Sequence, residues 1–505
     1  YIRGGLAKVL GVAPLTGDAG GTSKVARRGP PKVSPAISGV RFFLACFVMF
    51  NHVGKSPQPE GWASFANMRL FCIQMPGFFT LAGFSLAQSM GPAPKSILKF
   101  VLARLSPLFP MYLVSLLLLS LNLLVTCNPS TFDSAFHWEA QPNDLTRGHF
   151  CEPAPLLKDW GSSLVTTWVV FIFGLQAWPF AWPFSWWLSS YAWFSSVYYF
   201  ALFCYPYIYT QLLKLRGKKR PLLGVLAVLM FLQCVVITGF WAPFELGFPD
   251  RYKPGGTSPP VDSQTDWANW YTLGYYLFPP LWLPTFTGGI LSAFLFDAYR
   301  PYVERGVGTG AKVVRSSTQS RVGRTLTRVV PVQRIARLGS DGKWKKYFHG
   351  YVWGWITDAM TLVLISLAII TIVTPENLRP DSVPDGDKQG IRTFGAVMSR
   401  IYVPIMAFWL YAMAVGRGFT VWLFSRPLVL DVLAPASYNI YLFHQWTGQM
   451  YWLITRNEMW SYWRYRKDIY WFSPYPVPVD WWEYFFLVGL TTYFATLLAK
   501  VDPTL

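Results

Sequence analysis

Runs of about twenty apolar residues, separated by short polar or basic segments, recur from one end of the chain to the other. A helix needs about 20 mostly apolar residues to cross the hydrocarbon core of a bilayer. Runs of that kind lie near 35–54, 69–89, 98–126, 185–211, 221–243, 270–298, 351–375, 393–416, 427–455 and 481–499. A further run, 162–178, is shorter. The pattern predicts an all-α, polytopic membrane helix bundle of ten or eleven transmembrane helices.

Charge decides between ten and eleven. The N-terminal tail carries Arg3, Lys8, Lys24, Arg27, Arg28 and Lys32 against Asp18. The next basic segments are Lys95/Lys99, the cluster from Lys214 to Arg220, and 299–349, with twelve Lys and Arg from Arg300 to Lys346. Basic loops stay in the cytosol. If 162–178 is re-entrant, all four basic segments share one side and the acidic loop 376–392 takes the other. Ten spans with both termini cytosolic are therefore expected, leaving Arg456–Lys467 as an outward basic exception. The expected organisation is a basic tail (1–34), a transmembrane domain (35–499) and a short C-terminal tail (500–505). Within the domain, 127–184 forms a non-cytosolic loop plus the re-entrant segment. The 299–349 loop reads as a basic amphipathic helix on anionic lipid, or as a solvated loop.

Composition agrees with lipid as the solvent. Of 505 residues, 52% are apolar and 18% aromatic, while 14% are charged. A soluble domain has about 25% charged residues. The net charge of +19 falls between the apolar runs, which argues for membrane orientation and against nucleic-acid binding. The chain begins at Tyr1, which leaves a processed protein and a piece of a longer one both open. Among six cysteines, Cys127 and Cys151 bracket a polar stretch of 23 residues; a disulfide and two free thiols both fit. No cysteine spacing suits a metal. His137 and His149, near Glu139, Asp144 and Glu152, match no common metal motif and read as a solvated loop.

Ionisable groups within spans are costly and mark functional positions. Arg41 and His52 stand eleven apart in the first span, which sets them within about 20° of one face and roughly 16 Å apart along the axis. Arg suits a phosphate or carboxylate. A histidine that titrates near neutrality suits proton abstraction from a hydroxyl. The plainer alternative is a snorkelling arginine and an interfacial histidine. In the ninth run Tyr438, Tyr441 and His444 are spaced three apart, with Ser437 four before Tyr441, so they share a helix face. That face either lines a polar cavity or bonds to other helices. Gly91–Pro92, Pro279–Pro280, Pro284 and Gly288–Gly289 suggest broken helices. Asp358 and Asp431 read as structural partners of an arginine such as Arg400 or Arg426.

The first-span Arg41 and His52 resemble the membrane acyltransferase-3 family, as do three further stretches. Pro76-Gly-Phe-Phe-Thr-Leu-Ala-Gly-Phe84 is similar to its phenylalanine-rich second span, with Ala82 in place of Ser. Arg104-Leu-Ser-Pro-Leu-Phe-Pro110-Met-Tyr112 is similar to the start of its third. Ser437-Tyr-Asn-Ile-Tyr441-Leu-Phe-His444 is close to its late signature, and the stretch led by Trp187 resembles its mid-chain span. The resemblance covers about 35–499 and implies transfer of an acyl group, often acetyl, from a cytosolic acyl-CoA or other thioester to a hydroxyl of a sugar or lipid.

By that resemblance His52 and Arg41 are the expected catalytic residues, and Arg104, Ser437, Tyr438, Tyr441, His444 and Trp187 the substrate-binding ones. No permanent cofactor is expected; acyl-CoA enters as donor substrate. Two departures stand out. Pro107 occupies the place of a second arginine, and the mid-chain span lacks a glutamate, with Tyr191 or Tyr198 near its place. They leave a second reading open, a catalytically altered member serving as a transporter or structural subunit. The acceptor, the acyl length, the organelle and the oligomeric state are not written in the sequence.

Overall fold

The computed structural model describes residues 34–53, 62–89, 94, 96–127, 160–178, 192–237, 278–307, 344–372, 402–456 and 481–501. Every regular element among them is helical. The centre is a pair of long helices, α2 (Trp62–Ser89) and α8 (Leu283–Val307), with the second half of α2 packed along the first half of α8. Two glycines permit this. A Cβ on Gly83 of α2 would strike the Phe286 carbonyl of α8, and one on Gly289 of α8 would strike the Thr80 carbonyl of α2. Small residues at a helix interface let backbones approach in this way.

The doublet Gly288–Gly289 is therefore not a break, contrary to expectation. α8 runs through it uninterrupted, and Pro284 sits in its first turn, where a missing N–H costs nothing. Pro279 and Pro280 do interrupt the run, as a 3₁₀ turn (Pro279–Trp282) before the helix. Gly91–Pro92 lies outside the described residues.

α1 (Ala36–Val53) lies on α2 and buries Val40, Leu44 and Val48 completely, a stripe at the four-residue helical spacing. On its other flank α1 meets α12 (Ala434–Arg456), which a π-helical turn, Leu428–Leu433, introduces. α13 (Trp481–Val501) covers α12. The run near 98–126 is bent: α3 (Ile97–Leu105) and α4 (Phe109–Cys127) meet at 56° around Ser106–Leu108. Pro107 is in that bend, where its ring clashes with no helical carbonyl.

α5 (Trp160–Ile172) has 13 residues and ends in a turn at Gly174. α6 (Trp193–Leu213) packs on α3 and α8, and α7 (Lys219–Phe231) on α8. α9 (Trp344–Ile372) flanks α2 and α8. It is tied to α10 (Tyr402–Val415) by a bond from Trp409 Nε1 to Thr361 Oγ1 of 2.9 Å.

Among the described residues Asp358 of α9 forms no ion pair with an arginine. Its two carboxylate oxygens accept the backbone N–H groups of Phe419 and Thr420, each at 2.8 Å, and so cap α11 (Phe419–Phe424). Arg426 instead lies over the Trp422 ring, 3.5 Å from its centroid.

The ten-span expectation is only partly met among the described residues. Pro279–Tyr299 is long and apolar enough to cross a membrane, and the bent α3–α4 pair passes the same test when taken together. Ala36–Met49, Val352–Ser366, Tyr402–Val415 and Phe485–Ala499 are apolar but shorter. Trp62–Ser89, Trp344–Ile372, Ala434–Arg456 and Trp481–Val501 are nonetheless unbroken helices of 28, 29, 23 and 21 residues. The outer surface is apolar: Trp355 is 76% exposed, Phe173 68% and Phe485 64%. Gln74, Gln176, His444 and Gln445 are buried inside. An apolar exterior with polar side chains turned inward suits lipid.

Candidate functional site

Arg41 is the odd residue of α1. Val40 and Leu44 beside it are fully buried, yet its own side chain is exposed. It makes no hydrogen bond or ion pair among the described residues, and the Tyr198 hydroxyl of α6 lies within its electrostatic reach. It therefore faces an open space inside the bundle. Arg104, in the last turn of α3, also acts on Tyr198. Its guanidinium approaches Ser89 Oγ at 3.5 Å and lies over the Phe100 ring, 5.9 Å from the centroid. Two cations from different helices thus converge on one phenol, at the end of the bundle where α1 begins and α2 ends. Such a cluster attracts phosphate.

Four more tyrosines join Tyr198. The Tyr438 hydroxyl feels those of Tyr198, Tyr199 and Tyr441, and Tyr112 those of Tyr199, Tyr438 and Tyr441. Tyr438 donates to the Leu108 carbonyl in the α3–α4 bend at 3.3 Å. Tyr112 donates to the Phe171 carbonyl at 3.3 Å and accepts from Gln176 Nε2 at 3.2 Å. Gln176 also donates to the Ala192 carbonyl at 2.6 Å, so the turn after α5 holds α4 to the start of α6.

Deeper in, three rings from three helices meet. Phe78 of α2, Phe194 of α6 and Tyr441 of α12 have centroids 5.7, 6.3 and 5.4 Å apart, each pair tilted by 61°. Phe78 and Phe194 are half-buried although they lie at the meeting point of the helices, and Phe78 borders all three apolar clusters of the bundle. Phe194 is stacked on Phe79 at 4.8 Å, with Trp193 and Trp282 behind it.

Beyond the rings, toward the end where α1 stops, three polar side chains are buried among apolar ones. His444 is buried, and its Nδ1 donates to the Tyr441 carbonyl at 2.6 Å, since a carbonyl can only accept. Gln445 is buried with neither amide atom partnered among the described residues. Glu483, buried in the first turn of α13, accepts the Tyr451 hydroxyl at 2.7 Å.

The residues expected from sequence fall as follows. Arg41, Arg104, Tyr438 and Tyr441 gather around Tyr198 and the aromatic rings. Ser437 is buried and spends its proton on the Ala434 carbonyl of its own helix, at 2.6 Å. His52 belongs to the last turn of α1; its side chain lies outside the described part. Trp187 and the Cys127–Cys151 pairing also lie outside the described residues, as does the His137–His149 loop. Among the described residues no group of His, Cys, Asp or Glu is arranged to hold a metal.

Sequence reasoning missed Tyr112, Tyr199, Phe78, Phe194 and Glu483 as site residues. The four-residue spacing of Phe194 and Tyr198 was the available signal for one wall. Nothing in the sequence tied Glu483 to Tyr451.

A helical bundle with an apolar exterior, a cationic mouth and an aromatic neck suits a membrane protein. The acyltransferase-3 family model, an acyltransferase domain, matches residues 34–500, nearly the whole chain. The protein belongs to this family. No curated protein and no solved structure matches it.

Proposed function

We propose that the protein moves a short acyl group from a cytosolic acyl-CoA-type thioester to a hydroxyl of a carbohydrate or lipid acceptor. The observation that carries this reading is Arg41: a guanidinium open to the interior of the bundle, without a counter-ion among the described residues and close to Arg104 through Tyr198. A guanidinium without a counter-ion inside an apolar bundle is costly unless an anion completes it. The phosphates of an acyl-CoA supply that anion and leave its thioester arm to run inward past Tyr198.

Chemistry then belongs to His52, one face of α1 further along. Its imidazole takes the proton of the acceptor hydroxyl. The oxygen attacks the thioester carbonyl, the carbon–sulfur bond breaks, and the thiolate leaves and takes up the proton. An acyl-imidazole formed first on His52 gives the same products in two steps. Tyr441 is near enough to the neck to donate to the carbonyl oxygen as charge develops there. Membrane lipid surrounds the bundle and meets its apolar exterior.

The test uses membranes from cells producing the full chain, supplied with labelled acetyl-CoA. Label should move to an endogenous lipid or glycan, with release of CoA, and His52→Ala at equal abundance should abolish it. Undiminished transfer by His52→Ala overturns the role of that residue. Retention of acetyl-CoA by the native protein without any release of CoA overturns the enzyme and favours a transporter or structural subunit.

A further inference from the structure

The row of arginines extends beyond the pair at Tyr198. Arg216 lies in the turn between α6 and α7, where its backbone N–H donates to the Leu213 carbonyl at 3.1 Å and Gly217, at φ +84°, redirects the chain. Its guanidinium bonds Asp297 of α8 at 2.5 Å and lies over the Phe294 ring, 5.4 Å from the centroid. Asp297 also accepts from Gln88 Nε2 at 3.4 Å, and the next residue of α2, Ser89, is the one that Arg104 approaches. Adjacent residues at the end of α2 thus link Arg104 to the Arg216–Asp297 pair. Arg104 and Arg216 both act on the Tyr205 hydroxyl, as Arg41 and Arg104 act on that of Tyr198. Tyr198 and Tyr205 stand seven apart on α6, which sets them on nearly the same face and roughly 10 Å apart along the axis. Three guanidiniums therefore follow one side of α6, with Arg104 in the middle. The side chain of Arg216 is 37% exposed, so an anion reaches it from the end of the bundle without passing the rings. Asp297 engages one of its nitrogens, and a guanidinium has five N–H donors.

We infer that Arg216 binds a phosphate monoester, the 3′-phosphate of CoA, and so selects a CoA thioester over the same acyl group on a carrier arm that lacks this phosphate. This rests on the reading of the protein as an acyltransferase fed by acyl-CoA. The diphosphate of the donor takes Arg41 and Arg104; the 3′-phosphate, one ribose away, takes Arg216. A phosphate monoester carries nearly two negative charges at neutral pH, and the planar fork of an arginine meets it with paired donors. Asp297 holds that fork in place before the donor arrives, and its own charge opposes the phosphate. Arg216 is a binding residue and takes no part in the chemistry.

The experiment measures displacement of labelled acetyl-CoA from the full chain in phosphatidylcholine nanodiscs, by CoA and by 3′-dephospho-CoA. A charge-assisted contact is worth about tenfold or more in affinity, so dephospho-CoA should displace the label that much less well from the native protein. Arg216→Ala should bring the two competitors close together by weakening CoA alone. Asp297→Asn removes the opposing charge and should widen the gap in favour of CoA; it covers the case in which Arg216→Ala fails to fold. Equal displacement by both competitors from the native protein, or an undiminished gap in Arg216→Ala, overturns the 3′-phosphate site and leaves the acyltransferase reading standing. An effect of Arg216→Ala that appears only when phosphatidylserine is added to the discs gives Arg216 to a lipid headgroup and overturns the site as well. Failure of the native protein to retain acetyl-CoA removes the reading on which the site rests.

Discussion

The rings of Phe194 and Tyr198, one turn apart on α6, lie 4° from parallel with centroids 6.2 Å apart. One of them faces two guanidiniums and the other packs on Phe78 and Tyr441, so a single helical turn joins the arginine pair to the ring cluster.

Tyr198 should therefore act on donor binding. Removing its hydroxyl in Tyr198→Phe keeps the stack and loses about 1 kcal/mol of polar interaction. The expected result is a rise in KM for acetyl-CoA of about fivefold, with kcat little changed. Steady-state kinetics with varied acetyl-CoA check the split.

Arg41 should matter more, and its shape as well as its charge. Arg41→Ala loses a charge-assisted contact of about 1.5–3 kcal/mol and should raise the donor KM by more than about tenfold. Arg41→Lys keeps the charge but not the planar fork and should fall between Ala and native. Competition by free CoA, measured at low and high salt, separates the contribution of charge from that of geometry.

Gly83 and Gly289 should tolerate no side chain. Overpacking a tight interface costs about 1–3 kcal/mol, and here the obstacle is backbone carbonyl, which cannot turn aside. Gly83→Ala and Gly289→Ala should lower the melting temperature of the detergent-solubilised protein and its yield. Gly224 of α7 has open space around it, so Gly224→Ala should be neutral or stabilising by up to about 1 kcal/mol.

Asp358 should prove structural. Asp358→Ala removes both cap bonds of α11 and should cost about 1–2 kcal/mol, seen as a lower melting temperature. The folded fraction should keep its KM for acetyl-CoA. A change in KM with unchanged stability would contradict the capping role.

Apolar runs, read at helical spacing, found the helices, because burial along one face leaves its period in the chain whatever the partner. The eleven-residue spacing of Arg41 and His52, with the late tyrosine-rich stretch, carried the family resemblance that residues 34–500 bear out. The same periodicity says which face is inside and not what lies opposite. Gly288–Gly289 read as a break because a glycine pair weakens an isolated helix, yet the Thr80 backbone of α2 fills the space at Gly289 and the Met230 side chain of α7 that at Gly288. Asp358 read as an arginine's partner because a carboxylate inside an apolar run needs a donor; two backbone N–H groups, 61 and 62 residues away in the chain, supply it. Tyr198 stood in the sequence only as a residue, with Tyr191, near the place of a missing glutamate. Only the crossing of α1, α3 and α6 made it the meeting point of Arg41 and Arg104, and only α2, α6 and α12 together close the ring of Phe78, Phe194 and Tyr441, since both depend on contacts between segments whose order along the chain sets no distance between them.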